Sequence, residues 1–402
     1  MAISSRSRAT RGRGHRSPAA VLLTLSILLG VWTGPVWGAA ADASGGKLRM
    51  SADSAVLIDW NTGRILYAKA ATKPRPMAST TKIMTGLLVL EKGNLSDVVT
   101  VSRRAAATPG SSMHIRTGER LTLERLLYGV LMRSGNDASV AVAEHIAGTE
   151  AAFVAMMNAK ARALGAYNTQ FRNPHGLTAP GHYSTAFDLA LMARAALANP
   201  AFADIVATRE KLFVTAEEER QVTLRNTNRL LWSFEGADGV KTGTTSAAGK
   251  CLVASATRGD EKLIAVVLHS SDRYGDAAKL LSYGFDHYRV VRLAGAGEVV
   301  RTLRVSGGIA LRAAIVAVDQ YAAALSEEEM ARSRVEWDLP ATLRAPLDAG
   351  ELVGEVRVYV DGEIRETYPL VTRDENPRRT LWLVFLRGFL PLVRWLAGVG
   401  IG

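Results

Sequence analysis

Two side chains early in the chain have the types and the spacing for nucleophilic catalysis. Ser79 and Lys82 stand three residues apart, and residues at that spacing share one face of a helix. A serine hydroxyl is a weak nucleophile until a base takes its proton, and Lys82 is placed to be that base. A free lysine is protonated at neutral pH. The pair therefore predicts covalent catalysis only if burial or a second cation lowers the pKa of Lys82.

A Ser-Gly-Asn run at 134–136 supplies further groups for such a site. Ser134 has a hydroxyl that can relay a proton onward to a leaving amine. Asn136 has an amide that can hydrogen-bond a substrate amide and hold Lys82 in line. The sequence therefore predicts catalytic roles for both residues.

A Lys-Thr-Gly run at 241–243 adds a candidate binding strand. Lys241 and Thr242 suit a substrate that carries a carboxylate. Gly243 would let that substrate lie close along the strand as an added β-strand. If the fold brings Lys241 near Lys82, each ammonium disfavours charging of the other, so one of them can act as a base.

The elements that must position these residues can be read from turn signals and apolar periodicity. Strands are predicted at 54–60, 65–69, 239–245, 250–256 and 263–269, and helices at 77–90, 121–133 and 138–147. Ser79 would then lie in the first turn of its helix, where the helix dipole favours developing negative charge. The Ser-Gly-Asn run falls between two helices. One sheet would take strands from both ends of this part of the chain.

The segment from about 293 to 372 changes to alternating strands. Val356, Val358 and Val360 alternate with polar residues, and Asp361-Gly362 supplies a two-residue hairpin turn. The sequence therefore predicts a small, mostly β domain here.

The N-terminus has the layout of an export signal. Five arginines precede an apolar run from Ala19 to about Val31, and small residues follow at 38–41. This layout predicts a cleaved secretory signal peptide, with an uncleaved anchor as the alternative. The formal net charge is +11, and residues 1–38 carry five arginines and no acid, so removing them leaves +6. That mildly basic balance does not indicate a nucleic-acid partner.

The last segment, from Leu381 to Gly402, is apolar apart from two arginines. Arg387 and Arg394 are seven residues apart and share one helical face, with Trp382 and Trp395 nearby. This pattern predicts a helix that lies in a membrane interface. A membrane-spanning helix and a helix packed on its own domain are the alternatives.

Other chemistries receive little support from the sequence. Cys251 is the single cysteine, so an intramolecular disulfide is impossible, and its apolar neighbours predict a buried strand thiol. His175 lies in an Asn-Pro-His-Gly turn, which favours a packing role, and the chain has no G-x-S-x-G elbow. No cluster has metal-ligand spacing. We therefore predict neither a metal nor a cofactor.

The order of the three short runs resembles that of the penicillin-recognising serine enzymes. These have S-x-x-K, then S-x-N, then K-T-G, and the middle run here reads S-G-N rather than S-D-N. Longer stretches resemble the penicillin-binding D-alanyl-D-alanine carboxypeptidases, which are low-molecular-mass serine peptidases of the S11 type. They are D-G-V-K-T-G-T at 238–244, F-x-N-P-H-G-L at 171–177 and K-L-L-S-Y-G-F at 279–285. The resemblance covers nearly the whole exported chain.

This resemblance implies an α/β (α+β) fold, in which a β-lactamase/transpeptidase-like domain has a sheet flanked by a helical region. The expected organisation is a signal peptide (1–40), a D,D-peptidase domain (48–290), a small β domain (291–373) and an amphipathic membrane anchor (378–402). The enzyme would lie on the periplasmic side of the cytoplasmic membrane, peripherally anchored. Its partners would be the D-Ala-D-Ala end of peptidoglycan stem peptides, β-lactams as inhibitors and the membrane surface.

Roles follow from the same resemblance, residue by residue. It implies Ser79 as the acyl-enzyme nucleophile, Lys82 as its base, and Ser134 and Asn136 in the proton relay. The substrate-binding residues would be Lys241, Thr242, Gly243, Thr244 and Arg273. The backbone N–H groups of Ser79 and Thr244 would form the oxyanion hole, and Arg273 would hold the terminal carboxylate.

Three alternative functions remain open at this stage. A D,D-endopeptidase acting on cross-links would use the same groups. A class A β-lactamase needs a glutamate-activated water, and no E-x-x-L-N run stands between Asn136 and Lys241. An inactive cell-wall-binding scaffold would be expected to have lost its nucleophile or base, and both are present here.

Overall fold

The computed structural model describes residues 48–214 and 221–380. The predicted signal peptide and nearly all of the predicted anchor lie outside these residues, and so do both arginines and both tryptophans of the tail. Those predictions are not addressed by the structure.

Strands open and close the first part of the described chain and dominate its last part, and most of the helices lie between. The strands are β1 (Ser54–Asp59), β2 (Ile65–Lys69), β3 (Val98–Thr100), β4 (Arg120–Thr122), β5 (Glu210–Val214), β6 (Gln221–Arg225), β7 (Ala237–Thr245), β8 (Gly249–Arg258), β9 (Glu261–Ser270), β10 (Tyr288–Ala294), β11 (Val299–Ser306), β12 (Arg312–Ala317), β13 (Tyr321–Ser326), β14 (Ser333–Asp338), β15 (Thr342–Arg344), β16 (Leu352–Val360) and β17 (Glu363–Thr372). The α-helices are α1 (Lys82–Lys92), α2 (Arg103–Ala106), α3 (Leu123–Tyr128), α4 (Asn136–Ala147), α5 (Glu150–Ala163), α6 (Ala186–Leu197), α7 (Pro200–Ala207), α8 (Leu230–Ser233), α9 (Arg273–His287) and α10 (Glu327–Ala331).

The central sheet is antiparallel and has the strand order β2-β1-β9-β8-β7. Strand β1 comes from the start of this part of the chain, and its neighbour β9 comes from the end. The prediction that one sheet takes strands from both ends is therefore confirmed. The predicted strands at 54–60 and 65–69 form an antiparallel hairpin of β1 and β2. In its turn, Asp59 Oδ1 accepts hydrogen bonds from both the backbone N and the Oγ1 of Thr62, each at 2.7 Å.

Both faces of the central sheet are covered. In β1, Val56 and Ile58 pack into the core shared with the helical region, whereas Ala55 and Leu57 pack into the core shared with α9. All four side chains are fully buried. Because side chains alternate between the faces of a strand, burial of both faces explains why β1 is apolar from Ala55 to Ile58.

The helix predicted from residue 77 begins differently from the expectation. It starts as a 3-10 turn, Ala78–Thr81, and becomes α1 only at Lys82. Ala78 has φ +49°, a left-handed conformation that costs an L-residue energy. Two threonine hydroxyls of the turn donate to carbonyls three residues earlier, at 2.6 and 2.8 Å. Ser79 therefore lies in a tight turn rather than in the first turn of an α-helix.

The helix predicted over 121–133 also differs from the prediction. It is α-helical only in α3 and continues as a π-helical turn, Gly129–Arg133. Ser134 follows with φ +65°, and α4 begins at Asn136. The predicted position of the Ser-Gly-Asn run, at a junction between packed helices, is confirmed.

The last part of the described chain forms a six-stranded sheet in the order β14-β16-β17-β12-β11-β15 and a two-stranded sheet of β10 and β13. The predicted turn joins β16 to β17, with Asp361 at φ +53° and Gly362 at φ +85°. Val356, Val358 and Val360 are buried on one face of β16. The mostly β character is confirmed, whereas the exact domain boundaries stay predictions.

A bidentate ion pair joins the β1–β2 hairpin to this last part. The guanidinium of Arg64 donates to both carboxylate oxygens of Glu329 in α10, at 2.7 and 2.6 Å. Both side chains are mostly buried, with 20% and 14% exposure. The contact therefore fixes the start of the central sheet against the β10–β13 pair.

Within the described residues, no single helix is both long and apolar enough to cross a membrane. Two sharply bent pairs, α4 with α5 and α6 with α7, meet the criteria of length and composition when each pair is taken together.

Candidate active site

The amine of Lys82 lies at the centre of the candidate site. Its Nζ is 3.1 Å from Ser79 Oγ, 2.7 Å from Asn136 Oδ1 and 2.6 Å from the backbone oxygen of His175. The side chain has no solvent exposure. Three oxygens therefore fix the amine beside the serine hydroxyl, which is the geometry that the Ser79–Lys82 spacing predicts.

The electrostatics of the site favour an uncharged Lys82. Burial lowers its pKa well below the ordinary lysine value, the nearby Lys241 ammonium lowers it further, and Asp137 opposes the shift. Lys241 is itself 1% exposed. Burial and the charge of Arg273 lower its pKa to about 7. The fold therefore meets the condition stated for the two lysines, and it gives Lys82 the environment that a general base requires.

Asn136 holds Lys82 through one end of its amide and is itself anchored by the other. Its Oδ1 accepts from Lys82, and its Nδ2 donates to the carbonyl of Pro109 at 2.7 Å. Nδ2 carries two hydrogens. One of them therefore remains for the predicted bond to a substrate amide.

Asp137 supports this arrangement and was not identified from the sequence. Its carboxylate is 1% exposed and accepts from Ser112 Oγ at 2.6 Å and from the backbone N of Met113 at 3.0 Å. These bonds hold the 109–115 loop against the start of α4. The sequence did contain a signal for Asp137, because this residue directly follows the Ser-Gly-Asn run and lies in the first turn of a helix.

Ser134 is at the site but without a partner. Its Oγ is buried and has no hydrogen-bond partner among the residues that the structure describes. A buried hydroxyl left unpaired is costly. The predicted proton relay through Ser134 stays a prediction, and the available hydroxyl is consistent with it.

The turn at 173–177 packs directly against the Ser79 turn. Asn173 Oδ1 accepts from the backbone N of Gly176 at 2.6 Å, and its Nδ2 donates to Leu177 O at 2.8 Å. Gly176 has φ +91°, and a Cβ there would lie 2.0 Å from Ala78 O. Only glycine therefore lets this turn touch the Ser79 turn.

His175 contributes its backbone to the site rather than its ring. Its carbonyl accepts from Lys82, whereas its Nδ1 accepts from Leu177 N at 3.2 Å. Burial, and then the charge of Lys82, lower the pKa of the ring to about 3. The imidazole is therefore neutral at pH 7, and its 3.9 Å contact with Glu150 is not an ion pair at that pH.

The Lys-Thr-Gly strand, β7, passes directly beside the serine turn. A Cβ on Gly243 would lie 2.8 Å from the backbone N of Ser79, so this approach also requires glycine. Arg273 Nη1 donates to Gly243 O and to Thr244 Oγ1, both at 2.8 Å. The structure therefore brings the predicted substrate-binding residues together along β7. The oxyanion hole stays a prediction, supported by the closeness of Ser79 N to this strand.

A groove of about 950 Å³ opens at the Arg273 end of this strand. It borders the candidate site through Thr227, whose Oγ1 is 2.8 Å from Thr242 Oγ1. The residues that line it are mostly polar or basic: Arg225, Asn226, Thr227, Arg229, Trp232, Ser233, Lys250, Ser271, Asp272, Arg273 and Tyr274. The site therefore continues past the position expected for a substrate carboxylate.

Cys251 is the cross-strand partner of Gly243, but its thiol is unsuited to nucleophilic chemistry. Cys251 is fully buried in β8, and burial raises the pKa of its thiol to about 11, as suits an inert strand residue. Within residues 48–214 and 221–380, no group of three or more His, Cys, Asp and Glu side chains is arranged to hold a metal ion.

The fold and the site together define a class of serine hydrolase in which a buried lysine, rather than a histidine, stands beside the nucleophile. The sequence model of the D-alanyl-D-alanine carboxypeptidase family, Peptidase S11, matches residues 40–272. The model of the C-terminal domain of penicillin-binding protein 5 matches residues 288–378. The chain belongs to the D-alanyl-D-alanine carboxypeptidase family.

Individual members of this family are similar to the chain over most of its length. The chain is 36% identical over 350 residues to D-alanyl-D-alanine carboxypeptidase DacF of Bacillus subtilis, covering 85% of this chain and 90% of that one. It is 36% identical to DacC of Escherichia coli, covering 79% and 82%. Among solved structures, penicillin-binding protein 5 from Haemophilus influenzae superposes with a TM-score of 0.72 at 30% identity, covering 83% of this chain and 100% of that one. Penicillin-binding protein 6B from Escherichia coli gives 0.65 at 32%, covering 82% and 98%.

Proposed function

We propose that the chain is a serine-type D-Ala-D-Ala carboxypeptidase, which removes the terminal D-alanine from peptidoglycan stem pentapeptides. The observation that carries this proposal is the fully buried Lys82 amine, 3.1 Å from Ser79 Oγ in a member of this family. No other serine in the described residues combines these features with the Lys-Thr-Gly strand beside it.

Acylation begins when neutral Lys82 takes the proton of Ser79 Oγ. The oxygen attacks the carbonyl between the two D-alanines, and the developing oxyanion is stabilised by the backbone N–H groups of Ser79 and Thr244. The bond between that carbonyl carbon and the leaving nitrogen then breaks. Ser134 relays that proton from Lys82 to the leaving nitrogen, and D-alanine departs as a neutral amine. An ester on Ser79 remains.

Deacylation uses the same groups in the reverse direction. Lys82 takes a proton from a water molecule, which attacks the ester carbonyl. The ester bond breaks, and the proton returns to Ser79 Oγ. The products are the shortened peptide and free enzyme.

The Lys-Thr-Gly strand selects substrates by charge at the carboxyl end. Lys241, Thr242 and Arg273 bind the terminal carboxylate, while the peptide lies along β7 over Gly243. A β-lactam carries a carboxylate near a reactive amide, so it acylates Ser79 in the same pose. The proposal therefore includes covalent inhibition by β-lactams.

The test is intact-protein mass spectrometry combined with a D-alanine release assay. Wild-type protein should gain the mass of one penicillin and should release D-alanine from a D-Ala-D-Ala peptide. Ser79→Ala should do neither while keeping its thermal unfolding transition. Covalent labelling that persists in Ser79→Ala would contradict the assignment of the nucleophile.

A second candidate function is favoured by the groove beside Arg273. Its volume of about 950 Å³ leaves room beyond the substrate carboxylate, where a cross-linked peptide would continue. Hydrolysis of D,D cross-links is therefore the second candidate. The ratio of kcat/KM for a pentapeptide to that for a cross-linked dimer separates the two activities.

For location, we propose an exported enzyme held on the periplasmic face of the cytoplasmic membrane by residues 378–402. The support is the signal-like N-terminus together with the Arg387 and Arg394 stripe and its two tryptophans. Cell fractionation of full-length protein and of a chain ending at residue 380 tests this. The shortened chain should become soluble and stay active. Retention on membranes would place the anchor elsewhere.

A further inference from the structure

Three arginines lie together on the exposed face at one edge of the six-stranded sheet. Arg304 of β11 is directly opposite Arg312 of β12 in the antiparallel register. Arg344 of β15 is paired with Ser306, two residues along the same face of β11. All three side chains are exposed. Like charges directly opposite one another destabilise a sheet, so this arginine patch is unfavourable for the isolated fold.

None of these three charges has a direct partner within the described residues. The guanidinium groups of Arg304, Arg312 and Arg344 make no ion pair or hydrogen bond in that part of the chain. Other arginines of the same sheet do have partners, and Arg357 bonds Asp338 at 3.0 Å. The three arginines of the patch therefore differ from Arg357, whose charge is paired.

Two further features adjoin the arginine patch. Leu311, next to Arg312, is 71% exposed. The segment that follows β17 runs along the same turn, because Arg379 N donates to Gly307 O at 2.7 Å. That segment also carries acids: Asp374 pairs with Arg373 at 2.9 Å, and Glu375 follows it. The end of the described chain, directly before the apolar tail in the sequence, thus lies beside the patch.

We propose that the arginine patch and Leu311 bind the anionic headgroups of a lipid bilayer. Guanidinium groups bind phosphate in a bidentate manner. Each arginine near an anionic membrane also contributes to the electrostatic attraction between the protein and the membrane. An exposed leucine beside them suits the boundary between headgroups and acyl chains better than it suits a soluble polyanion. This contact is separate from the proposed tail helix and from the carboxypeptidase reaction. It would orient the sheet edge towards the membrane.

The first test measures vesicle binding of the full-length protein and of an Arg304→Gln/Arg312→Gln variant. We expect the variant to partition on the order of tenfold more weakly to vesicles containing about 30% phosphatidylglycerol, and equally to pure phosphatidylcholine. D-alanine release from a soluble peptide should be unchanged. Arg120→Gln/Arg162→Gln, two exposed arginines of the catalytic region, is the control with the same change in net charge.

Each other outcome of this test contradicts the proposal. Unchanged partition of the patch variant would mean that the tail alone binds the membrane. Equal weakening by the control pair would mean that net charge, rather than this surface, is responsible. Binding to a soluble polyphosphate is measured in parallel. If the Arg304→Gln/Arg312→Gln variant loses this binding but still binds vesicles, the patch would be assigned to a soluble polyanion.

The second test places a polarity-sensitive fluorophore at the surface. Cys251 is fully buried, so a Leu311→Cys variant of the full chain offers one accessible thiol for labelling. Its emission should shift to the blue on phosphatidylglycerol vesicles. A Val318→Cys variant is the matched control, because Val318 is 57% exposed just beyond the opposite end of β12. Equal shifts at both positions, or none at 311, would overturn the proposal.

Discussion

The candidate active site and the arginine patch use positive charge in opposite ways. At the active site Lys82 and Lys241 are buried, and Lys82 is held by three oxygens. On the patch, Arg304 and Arg312 face each other in solvent without partners in the described residues. Burial can turn a lysine into a base, because its charged form loses hydration. An exposed arginine stays charged at every physiological pH and acts over roughly 10 Å in about 0.1 M salt.

The largest expected effect comes from replacing the buried lysines by arginine. Lys82→Arg keeps a positive charge but removes the titratable base, so acylation by a fluorescent penicillin should slow by about 10²- to 10⁴-fold. Lys241→Arg keeps a cation for the substrate carboxylate and should retain more of the rate. Equal loss in both variants would contradict the separate roles of base and carboxylate binder.

A smaller effect is expected from filling the space beside the serine turn. Gly176→Ala would place a Cβ 2.0 Å from Ala78 O at φ +91°, and should cost about 2 to 5 kcal/mol in the free energy of unfolding. Gly362→Ala, in the β16–β17 turn, has φ +85° but nothing within 4 Å of the added carbon. It should cost only about 1 kcal/mol. Urea unfolding measures the stability of both variants. Similar costs would show that the close approach of Gly176 to Ala78 O does not restrict which residue can occupy position 176.

The pH dependence of kcat/KM tests whether the two buried lysines titrate, as the exposed arginines do not. On the acid side the value should rise with pH as Lys82 loses its proton. Above about 7 it should fall as Lys241, whose pKa burial lowers to about 7, loses the charge that binds the carboxylate. In Lys241→Arg the alkaline fall, about tenfold per pH unit at its limit, should disappear. An unchanged alkaline limb in this variant would assign that limb to another group.

The smallest effects are expected for two ion pairs that differ in burial. Arg64→Gln leaves Glu329, whose side chain is 14% exposed, without its bidentate partner, and should cost about 1 to 2 kcal/mol of stability. Arg292→Gln breaks a pair with Glu298 whose side chains are 66% and 52% exposed. It should cost less than about 0.5 kcal/mol. Thermal unfolding measures the stability of both variants. An equal loss of stability would show that burial does not make the Arg64–Glu329 pair more stabilising than the Arg292–Glu298 pair.

Much of this site could be predicted from side-chain chemistry and spacing. The Ser79–Lys82 pair, the Lys82–Asn136 contact and the neighbouring Lys241 follow from residue types and from the order of three short runs. The central sheet could also be predicted, because its strands are apolar and bounded by clear turns. These features depend on side chains, which a sequence displays directly.

Apart from the Asp137 carboxylate, the features that were missed depend on the backbone or on residues distant in sequence. The 3-10 turn at Ser79 and the π-helical turn before Ser134 follow from tertiary packing that overrides helical periodicity. The His175 carbonyl has no signature, since every residue carries one. The groove beside Arg273 takes residues from β6, α8, β8 and α9, and no local pattern joins them. The tail lies outside the described residues and remains a prediction.

The carbonyl of His175 has a consequence for resistance to inhibitors. A point mutation can replace a side chain that holds Lys82, such as Asn136, but it cannot remove a peptide oxygen from the chain. Under drug selection this contact can be lost only if the whole turn at 173–177 moves. Gly176 packs so closely on the Ser79 turn that an added Cβ would lie 2.0 Å from Ala78 O, which leaves little room for such a movement. An inhibitor whose fit depends on the lysine position set by this oxygen would therefore leave few single-step escape routes.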